Sequence, residues 1–294
     1  MKEYFKVNVN KYVSDYNFDV VRPASLNTPK DNSVMFISEG YMGKVDAFYR
    51  CNECLIFWPQ NYAIPDGLEK KHAICVVENS RNGYCGFFRE NNITYYPQVE
   101  EYEVINGAYI AKNAVIGKNC SIMPGAYIGG NVIIGENCYI GAGVKLVGEI
   151  KIGSNVVIRE GTVIGADGLS TDRDKYGHAL TMPQFGGVII EDNVQIGALT
   201  VIARGAIDNT VLKTGVKIDN STFISHNVVI GEDTFVVGET IMFGSSSTGK
   251  QSFISGNSTI RDGRHIGDNA IVGMGSTVIK NVDDHTIVKG NPAK

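Results

Sequence analysis

The sequence predicts a small α+β domain followed by an all-β domain built as a parallel β-helix. Three observations lead to this prediction. From Val104 to Ile164 an aliphatic residue returns at every sixth position without a miss, and the residue after it is often glycine. The residue four positions after it is small or β-branched. Neither a helix nor an ordinary strand repeats every six residues, so the pattern indicates stacked units with one short strand each.

The period also predicts how these units stack. Three strands of six residues make a triangular coil, so residues 18 apart in the sequence should lie about 4.8 Å from each other, as neighbouring strands do. The period resumes at Ile190 and continues to Val278, with a slip of four residues across Arg204–Thr210 that we interpret as a short insertion at a corner. These repeats would give about eight or nine coils, on the order of 40 Å in height.

Repeats of this kind resemble those of the hexapeptide-repeat superfamily. The resemblance implies a left-handed coil and suggests a homotrimer. Self-association is also expected from the residues themselves, because a thin prism has flat and partly apolar faces that tend to pair.

The part of the chain before the repeats, residues 1–98, predicts a small α/β domain. The apolar runs Ser33–Ile37, Cys54–Trp58 and Ala73–Val77 are typical of buried strands, and Arg81–Glu90 predicts a short helix. The aromatic residues of this domain suit a hydrophobic core or, alternatively, a platform on which a nucleobase stacks.

We assign residues 99–288 to the β-helix and residues 289–294 to a short C-terminal tail. Residues 166–187 lack the period and are mostly polar, so we expect them to protrude from a corner as a loop. The charged tract Asp172–Lys175 offers polar contacts, and the loop could bind substrate, stabilise a trimer, or do both.

The composition excludes several classes of protein. With 43% apolar residues, 20% charged residues and a net charge of −4, the chain is typical of soluble globular proteins. No basic excess favours nucleic acid or an anionic membrane surface as a partner. The N-terminal residues lack the apolar core of a signal peptide, and no apolar run is long enough to span a bilayer. We therefore expect a cytoplasmic protein.

The cysteines predict structural thiols. Cys120 and Cys138 occupy the small position of the repeat, 18 residues apart, and should stack inside the coil. Cys51 and Cys54 form a CxxC pair, but a zinc site usually has a second close pair, which this sequence lacks. We expect no bound metal and no bound cofactor.

One histidine should lie outside the hydrophobic interior. His226 follows the inward Ile224 by two positions, which is not an inward position of the repeat. Gly244 comes 18 residues later, directly over the histidine, with an unobstructed backbone N–H. A neutral imidazole can act as a general base near neutral pH, and an N–H above it can stabilise an oxyanion, which suits acyl transfer. The alternative is a surface histidine with no catalytic role.

From Ile164 to Gly244 the sequence resembles the UDP-3-O-acylglucosamine N-acyltransferase family of lipid A (lipopolysaccharide) biosynthesis. The resemblance is weaker before residue 100. The matching segments are Met182–Gly186, Val194–Ala198, Arg204–Thr210, Lys217–Asn220 and Ser225–Gly231.

This resemblance implies roles for particular residues. The general base of the family falls on His226 and its oxyanion-stabilising N–H on Gly244, in agreement with the stacking of the coils. The first domain resembles the uridine-binding domain of the family, in which aromatic side chains stack on the base. The residues that the resemblance implies for substrate binding are Asn220, Asn227, Phe36 and Tyr41.

Three features depart from the family. Its second histidine falls on Gly263 here, and His265 is two positions away. Its uridine-contacting asparagine is replaced in the segment Phe36–Tyr41. The sequence stops at Lys294 without the C-terminal helices that help to hold acyl carrier protein, and its last residues resemble hexapeptide acetyltransferases that use acyl-CoA. The resemblance therefore leaves the donor open between acyl-CoA and acyl carrier protein.

The sequence as a whole predicts a homotrimeric N-acyltransferase. It would transfer an acyl group from a thioester to the amino group of a nucleotide-linked amino sugar, with His226 as the general base. One alternative is the lipid A enzyme itself, with a 3-hydroxyacyl carrier protein as the donor. A second alternative is a trimer that binds a sugar nucleotide without catalysis.

Overall fold

The computed structural model describes residues 2–94, 100–174 and 176–294. These residues form two compact units. The first contains residues 2–94 together with Leu169–Phe185, and the second contains residues 100–168 together with Gly186–Lys294. The predicted boundary at residues 98 and 99, and Lys175 of the charged tract, lie outside the described residues.

The second unit is a parallel β-helix with three sheets, which we call I, II and III in the order in which each coil visits them. Sheet I contains Ala108–Ala111, Tyr127–Ile128, Lys145–Leu146, Val163–Ala166, Val201–Ala203, Phe223–Ile224, Ile241–Met242, Thr259–Ile260 and Thr277–Val278. Sheet II contains Val115–Ile116, Val132–Ile134, Ile150–Ile152, Val188–Ile190, Thr210–Leu212, Val229–Ile230, Ser247–Thr248 and His265–Ile266. Sheet III contains Ser121–Ile122, Tyr139–Ile140, Val157–Ile158, Gln195–Ile196, Lys217–Ile218, Phe235–Val236, Phe253–Ile254, Ile271–Val272 and Ile287–Val288.

The hydrogen-bonded registers confirm the predicted coil length. In uninterrupted repeats the paired residues are 18 apart in the sequence, as for Ile128 and Leu146. Across the slip of four residues they are 22 apart, as for Ile196 and Ile218. Across the long insertion they are 38 apart, as for Ile158 and Ile196. The extra residues are therefore expelled at the corners, and the strands on both sides stay in register.

The aliphatic residues of the repeat form one continuous core. From Ile128 to Val278 the side chains at the repeat position are at most 5% exposed. Thr248 is the one polar member of this column, and its Oγ1 accepts the N–H of Gly231 at 2.9 Å. Because this buried oxygen has a hydrogen bond, the column tolerates a polar residue.

The small position of the repeat changes in character along the chain. Cys138 is 2% exposed and stacks on the half-buried Cys120 in the early coils, as predicted. Several later coils have buried threonine or serine at this position instead, and Thr162 donates its hydroxyl hydrogen to the carbonyl of Gly197 in the next coil at 2.7 Å. Such buried hydroxyls form hydrogen bonds between coils, as the thiols of Cys120 and Cys138 do in the early coils by donating to the carbonyls of Gly135 and Gly153.

The period does not begin inside the β-helix at Val104, as the sequence predicts. Val104 is 63% exposed, because Tyr102–Ile105 is an antiparallel strand that pairs with Ala108–Ala111. The first inward member of the column is Ile110, which is half-buried in the terminal coil. The prediction for Val104 was wrong because a period gives the spacing of residues and not the direction of the strand that carries them.

The first unit is built on a parallel sheet. The strands of this sheet, in spatial order, are Arg22–Pro23, Ser33–Phe36, Leu55–Pro59 and Ala73–Val77. An α-helix spans Ser80–Glu90, an antiparallel pair joins Val7–Asn8 to Asp19–Val20, and 3₁₀ segments span Val9–Lys11 and Glu39–Arg50. The three predicted strands and the predicted helix are confirmed to within one residue at each end.

Much of the aromatic content of this unit is core. Phe48, Trp58, Tyr84 and Phe87 are fully buried, and Phe88 is 1% exposed. The indole Nε1 of Trp58 donates to the carbonyl of Tyr62 at 2.8 Å, so burial leaves its polar atom satisfied.

No helix in the described parts of the chain is both long enough and apolar enough to cross a bilayer.

The long insertion is not the simple protruding loop that the sequence predicts. Leu169–Phe185 belongs to the first unit, and it contains an antiparallel hairpin of Thr171–Arg173 with Ala179–Thr181. The polar composition of this stretch excluded further coils, but it did not reveal that the segment pairs with itself.

An acidic side chain joins the hairpin to the helix Ser80–Glu90. Arg89 Nη1 lies 3.3 Å from Oδ2 of Asp174 in the turn of the hairpin. Burial raises the pKa of Asp174, but hydrogen bonds from the backbone N–H groups of His178 and Tyr176 outweigh it and lower the pKa to about 2. The carboxylate therefore stays charged near neutral pH and keeps its contact with Arg89.

We expect Ile196→Ala to lower the free energy of unfolding by about 2–5 kcal/mol, because the change leaves a cavity in a column that is fully buried at this point. Gln195→Ala, at the exposed position beside it, should change the same quantity by about 0.5 kcal/mol or less. Chemical denaturation followed by circular dichroism measures both, and equal losses in the two variants would contradict the assignment of the column.

Candidate active site

His226 lies at the corner between Phe223–Ile224 of sheet I and Val229–Ile230 of sheet II. The ring is half-buried, whereas Val228 beside it is fully buried. Asn227 turns the chain at this corner with a φ of 59°, a left-handed conformation that asparagine adopts more readily than most residues. His226 is therefore not part of the hydrophobic interior of the β-helix.

Two glycines enclose the imidazole. Gly244 lies one coil beyond His226, and a Cβ at Gly244 would stand 2.6 Å from Nε2 and from Cε1 of the ring. Gly168 lies where the long insertion begins, and a Cβ there would stand 2.7 Å from the Cβ of His226 and 2.9 Å from Cδ2. Any larger residue at either position would have to displace the ring, so the imidazole packs between two stretches of bare backbone.

The side chain of Asn227 determines which imidazole nitrogen carries the hydrogen. Its Nδ2 donates to the carbonyl of Asp208 at 2.7 Å, and its Oδ1 accepts the N–H of Ala206 at 3.0 Å. The same Oδ1 lies 3.0 Å from Nδ1 of His226. Because Oδ1 can only accept, Nδ1 carries the hydrogen and Nε2 of the neutral ring keeps its lone pair.

Two groups at this corner have no hydrogen-bond partner among the residues that the structure describes, Nε2 of His226 and the N–H of Gly244. The neighbouring N–H groups are bonded, that of Phe243 to the carbonyl of Ile260 at 3.0 Å and that of Ser245 to the carbonyl of His226 at 2.9 Å. The ring of a base with an available lone pair thus lies against a glycine whose N–H is also available, and these are the two groups that acyl transfer requires.

The two asparagines predicted to bind substrate have different surroundings. The side chain of Asn227 bonds to Ala206, His226 and Asp208, so it orients His226, and its contact with substrate stays a prediction. Asn220 lies at the preceding corner, between sheets III and I, where its Oδ1 accepts the N–H of Ala198 at 2.7 Å. The strand Phe223–Ile224 separates the two corners, so a single chain does not bring Asn220 to His226.

The two aromatic residues predicted to stack on a nucleobase both lie in the first unit. Phe36 is half-buried, with its ring centroid 4.7 Å from that of Tyr84 and an angle of 37° between the rings. Tyr41 is 56% exposed, and Nζ of Lys44 lies 5.6 Å from its ring centroid. Of the two, Tyr41 presents the more open face, and the stacking of a base on either ring stays a prediction.

His265 does not stand in the column of His226. The register places Asp262 two coils beyond His226, next to Gly263, which has a φ of 64°. His265 belongs to a strand of sheet II, exposed, with Nδ1 2.9 Å from Oγ of Ser247. Within the described residues, the catalytic candidate therefore has no second histidine above it.

Cys51 and Cys54 are fully buried, with their sulfur atoms 3.6 Å apart. They pack in the same core cluster as Phe48 and Trp58. Nowhere in residues 2–94, 100–174 or 176–294 do three His, Cys, Asp or Glu side chains come together in a way that could hold a metal ion.

Reasoning from the sequence missed two contributions to this corner. Gly168 lies where the period lapses, so no register could place it beside His226. The positioning role of Asn227 depends on Ala206 and Asp208, which belong to the slip of four residues that the sequence shows only as an insertion. The one signal in the sequence for this positioning role was Asn227 itself, an asparagine directly after the histidine at a turn of the chain.

Comparison with known proteins identifies the repeat. A family model described as bacterial transferase hexapeptide (six repeats) matches residues 113–148 and 131–166. A second model, described as hexapeptide repeat of succinyl-transferase, matches residues 247–280. The chain is therefore a hexapeptide-repeat protein.

Relatives with an assigned name resemble the chain over a longer stretch. A UDP-3-O-acylglucosamine N-acyltransferase of Helicobacter hepaticus is 46% identical over 199 residues, which are 68% of this chain and 61% of that protein. The protein of the same name from Wolinella succinogenes is 36% identical over 135 residues, 46% of this chain and 42% of that protein. The chain thus spans about three fifths of the length of the first relative and less of the second.

Solved structures share the fold. A UDP-N-acetylglucosamine acyltransferase from Campylobacter jejuni superposes with a TM-score of 0.56 at 17% identity, over 65% of this chain and 73% of that chain. The Arabidopsis UDP-N-acetylglucosamine acyltransferase gives a TM-score of 0.52 at 26% identity, over the same shares of the two chains. The β-helix is therefore of the left-handed kind found in these acyltransferases, as predicted.

We expect the ring of His226 to exist as both neutral tautomers in Asn227→Gly. Glycine keeps the left-handed φ of 59° but removes the oxygen that accepts the hydrogen on Nδ1. Nitrogen-15 NMR of the histidine rings should then show a mixture of both tautomers in place of the form with the hydrogen on Nδ1. Asn220→Ala is the matched control and should leave the ring signals unchanged. An unchanged tautomer in Asn227→Gly would contradict the role of this asparagine.

Proposed function

We propose that this hexapeptide-repeat protein transfers an acyl group from a thioester donor to the amino group of a nucleotide-linked amino sugar. The observation that carries the proposal is the contact between His226, with its lone pair on Nε2, and Gly244, with its unbonded N–H. The 46% identity to a protein named UDP-3-O-acylglucosamine N-acyltransferase supports the same class of reaction.

The base acts first. As the amine nitrogen attacks the thioester carbonyl, Nε2 of His226 takes the proton that the nitrogen loses, and the ring becomes an imidazolium. Asn227 favours this step, because its Oδ1 accepts the Nδ1–H bond both before and after proton transfer and stabilises the positive ring. The base therefore needs no rotation during the reaction.

The carbonyl oxygen becomes negative in the tetrahedral intermediate. The N–H of Gly244 donates to this oxyanion, and the absence of a side chain at Gly244 lets the thioester approach the backbone. The intermediate then collapses to the amide, and the carbon–sulfur bond breaks. The leaving thiolate takes the proton from Nε2, which restores the neutral ring.

The acceptor proposed here is a sugar nucleotide. Tyr41, with its open face, and Phe36 would stack on the base, and the cation of Lys44 near Tyr41 suits the phosphates that adjoin a nucleoside. The names of the relatives favour a more specific second candidate, UDP-3-O-acylglucosamine itself as the acceptor.

The assembly proposed here is a homotrimer in which the thioester lies between neighbouring β-helices. One observation favours a site shared between copies. Asn220 and His226 lie at different corners of the same coil, so they can contact one substrate together only if they come from different copies. The carbon chain of the donor would then pass between two protomers.

We expect His226→Ala to lower kcat by about 10²- to 10⁴-fold, since the amine proton loses its acceptor. The KM for the sugar nucleotide should change little, because the base contributes mainly in the transition state. His265→Ala is the control, since this exposed histidine bonds Ser247 away from the corner, and its kcat should match that of the unaltered protein. Turnover of His226→Ala near that of the unaltered protein would refute the assignment.

A donor panel tests the reaction itself. We expect mass spectrometry to show one amide product when UDP-amino sugars are incubated with acetyl-CoA or longer acyl-CoA, or with 3-hydroxyacyl carrier protein. Transfer only from the carrier protein to UDP-3-O-acylglucosamine would favour the second candidate. Binding of the sugar nucleotide without any amide product across the panel would contradict the proposed activity and favour a binding protein without catalysis.

A further inference from the structure

Arg204 is an arginine buried in the second unit. It is 1% exposed, and a guanidinium is costly to bury unless acceptors surround it. Its Nε donates to the carbonyl of Gly186 at 2.8 Å, and its Nη1 lies 3.8 Å from Oδ1 of Asp167. Its backbone N–H donates to the carbonyl of Ala166 at 2.9 Å. The chemistry proposed above uses none of these groups.

These partners lie on both sides of the long insertion in the sequence. Ala166 and Asp167 precede the insertion Leu169–Phe185, and Gly186 follows it. We call Ala166–Gly168 together with Gly186 the neck of the insertion. Arg204 hydrogen-bonds Gly186 through its side chain and Ala166 through its backbone N–H, and its guanidinium forms an ion pair with Asp167, so it contacts both halves of the neck.

The structure leaves space for the guanidinium at this point. Gly148 has a φ of 82°, and a Cβ on it would stand 3.2 Å from Nη1 of Arg204. A Cβ on Gly186 would stand 2.5 Å from the carbonyl oxygen of Asp208, so this half of the neck packs tightly on the corner that carries Arg204. A side chain at either glycine would displace the arginine or the neck.

The neck also contacts the candidate base. Gly168 directly follows Asp167, and a Cβ on Gly168 would stand 2.7 Å from the Cβ of His226. Gly168 lies against the part of the ring that carries Cδ2, whereas Gly244 lies against Nε2 and Cε1. If the neck moved outward, a gap would open beside the imidazole, and the ring could turn away from Gly244.

We propose that Arg204 is a positioning residue for His226. It holds Gly186 by a hydrogen bond and Asp167 by an ion pair, and so keeps Gly168 against the imidazole and Nε2 against Gly244. The effect on turnover rests on the acyl transfer proposed above, whereas the effect on the ring does not.

The test uses the full chain with isotope-labelled histidine, in which the signals of His226 are identified by their loss in His226→Ala. Arg204→Lys keeps the charge but removes Nε, which donates to Gly186, and Nη1, which faces Asp167. We expect it to shift the ring signals of His226 and to lower kcat by about 10- to 100-fold, with KM changed by less than about three-fold. Asp167→Asn, which leaves the bond to Gly186, should shift the same signals less.

Two further variants serve as comparisons. Gly168→Ala pushes on the ring directly and should shift the same signals without altering Arg204. Arg159→Met removes an exposed arginine that pairs with Glu160 at 3.2 Å, and it should match the unaltered protein in ring signals and in kcat.

Signals of His226 that stay unchanged in a folded Arg204→Lys overturn the positioning role, even if kcat falls. If Arg204→Lys does not fold, unchanged signals in Asp167→Asn have the same meaning. The unaltered protein could show no acyl transfer while Arg204→Lys still shifts the ring signals of His226. That result supports the positioning role and contradicts only the proposed transfer.

Discussion

Every feature of the β-helix depends on the hydrogen-bonded register between successive coils. The strands are two to four residues long, so each coil has few bonds of its own and is held mainly by its neighbours. A shift of one residue would turn the inward aliphatic column towards solvent, which makes the register highly specific. The pairs that span 22 and 38 residues show the consequence, because extra residues leave at corners while Ile196 keeps its place between Ile158 and Ile218.

The same constraint explains why the candidate base lies at a corner. Inside the coils the repeat demands aliphatic or small side chains, and the polar ones that occur there bond to backbone groups, as Thr162 and Thr248 do. At a corner the chain turns through left-handed residues such as Asn227, and side chains are free to leave the interior. Stacking then brings Gly244 of the next coil over the histidine, and the N–H of this glycine has no partner among the described residues.

The two insertions complete this corner in different ways. The slip of four residues supplies Ala206 and Asp208, which orient the amide of Asn227 and through it the imidazole. Gly168 directly precedes the long insertion and packs on the imidazole, and Arg204 contacts both halves of the neck, by a hydrogen bond to Gly186 and an ion pair with Asp167. Both departures from the repeat thus meet at His226, which agrees with the general tendency of irregular segments on a regular scaffold to carry function.

The sequence by itself determined the β-helix, the length of its coils, the outward place of His226 and the position of Gly244 over it, because a fixed period and a fixed register convert spacing directly into neighbours. Only the tertiary structure decided what the irregular segments do. It showed that Val104 is exposed on an antiparallel strand, that Leu169–Phe185 forms a hairpin within the first unit, and that Arg204 joins both sides of the neck. These contacts join residues across aperiodic stretches, where spacing in the chain carries no information about distance in space.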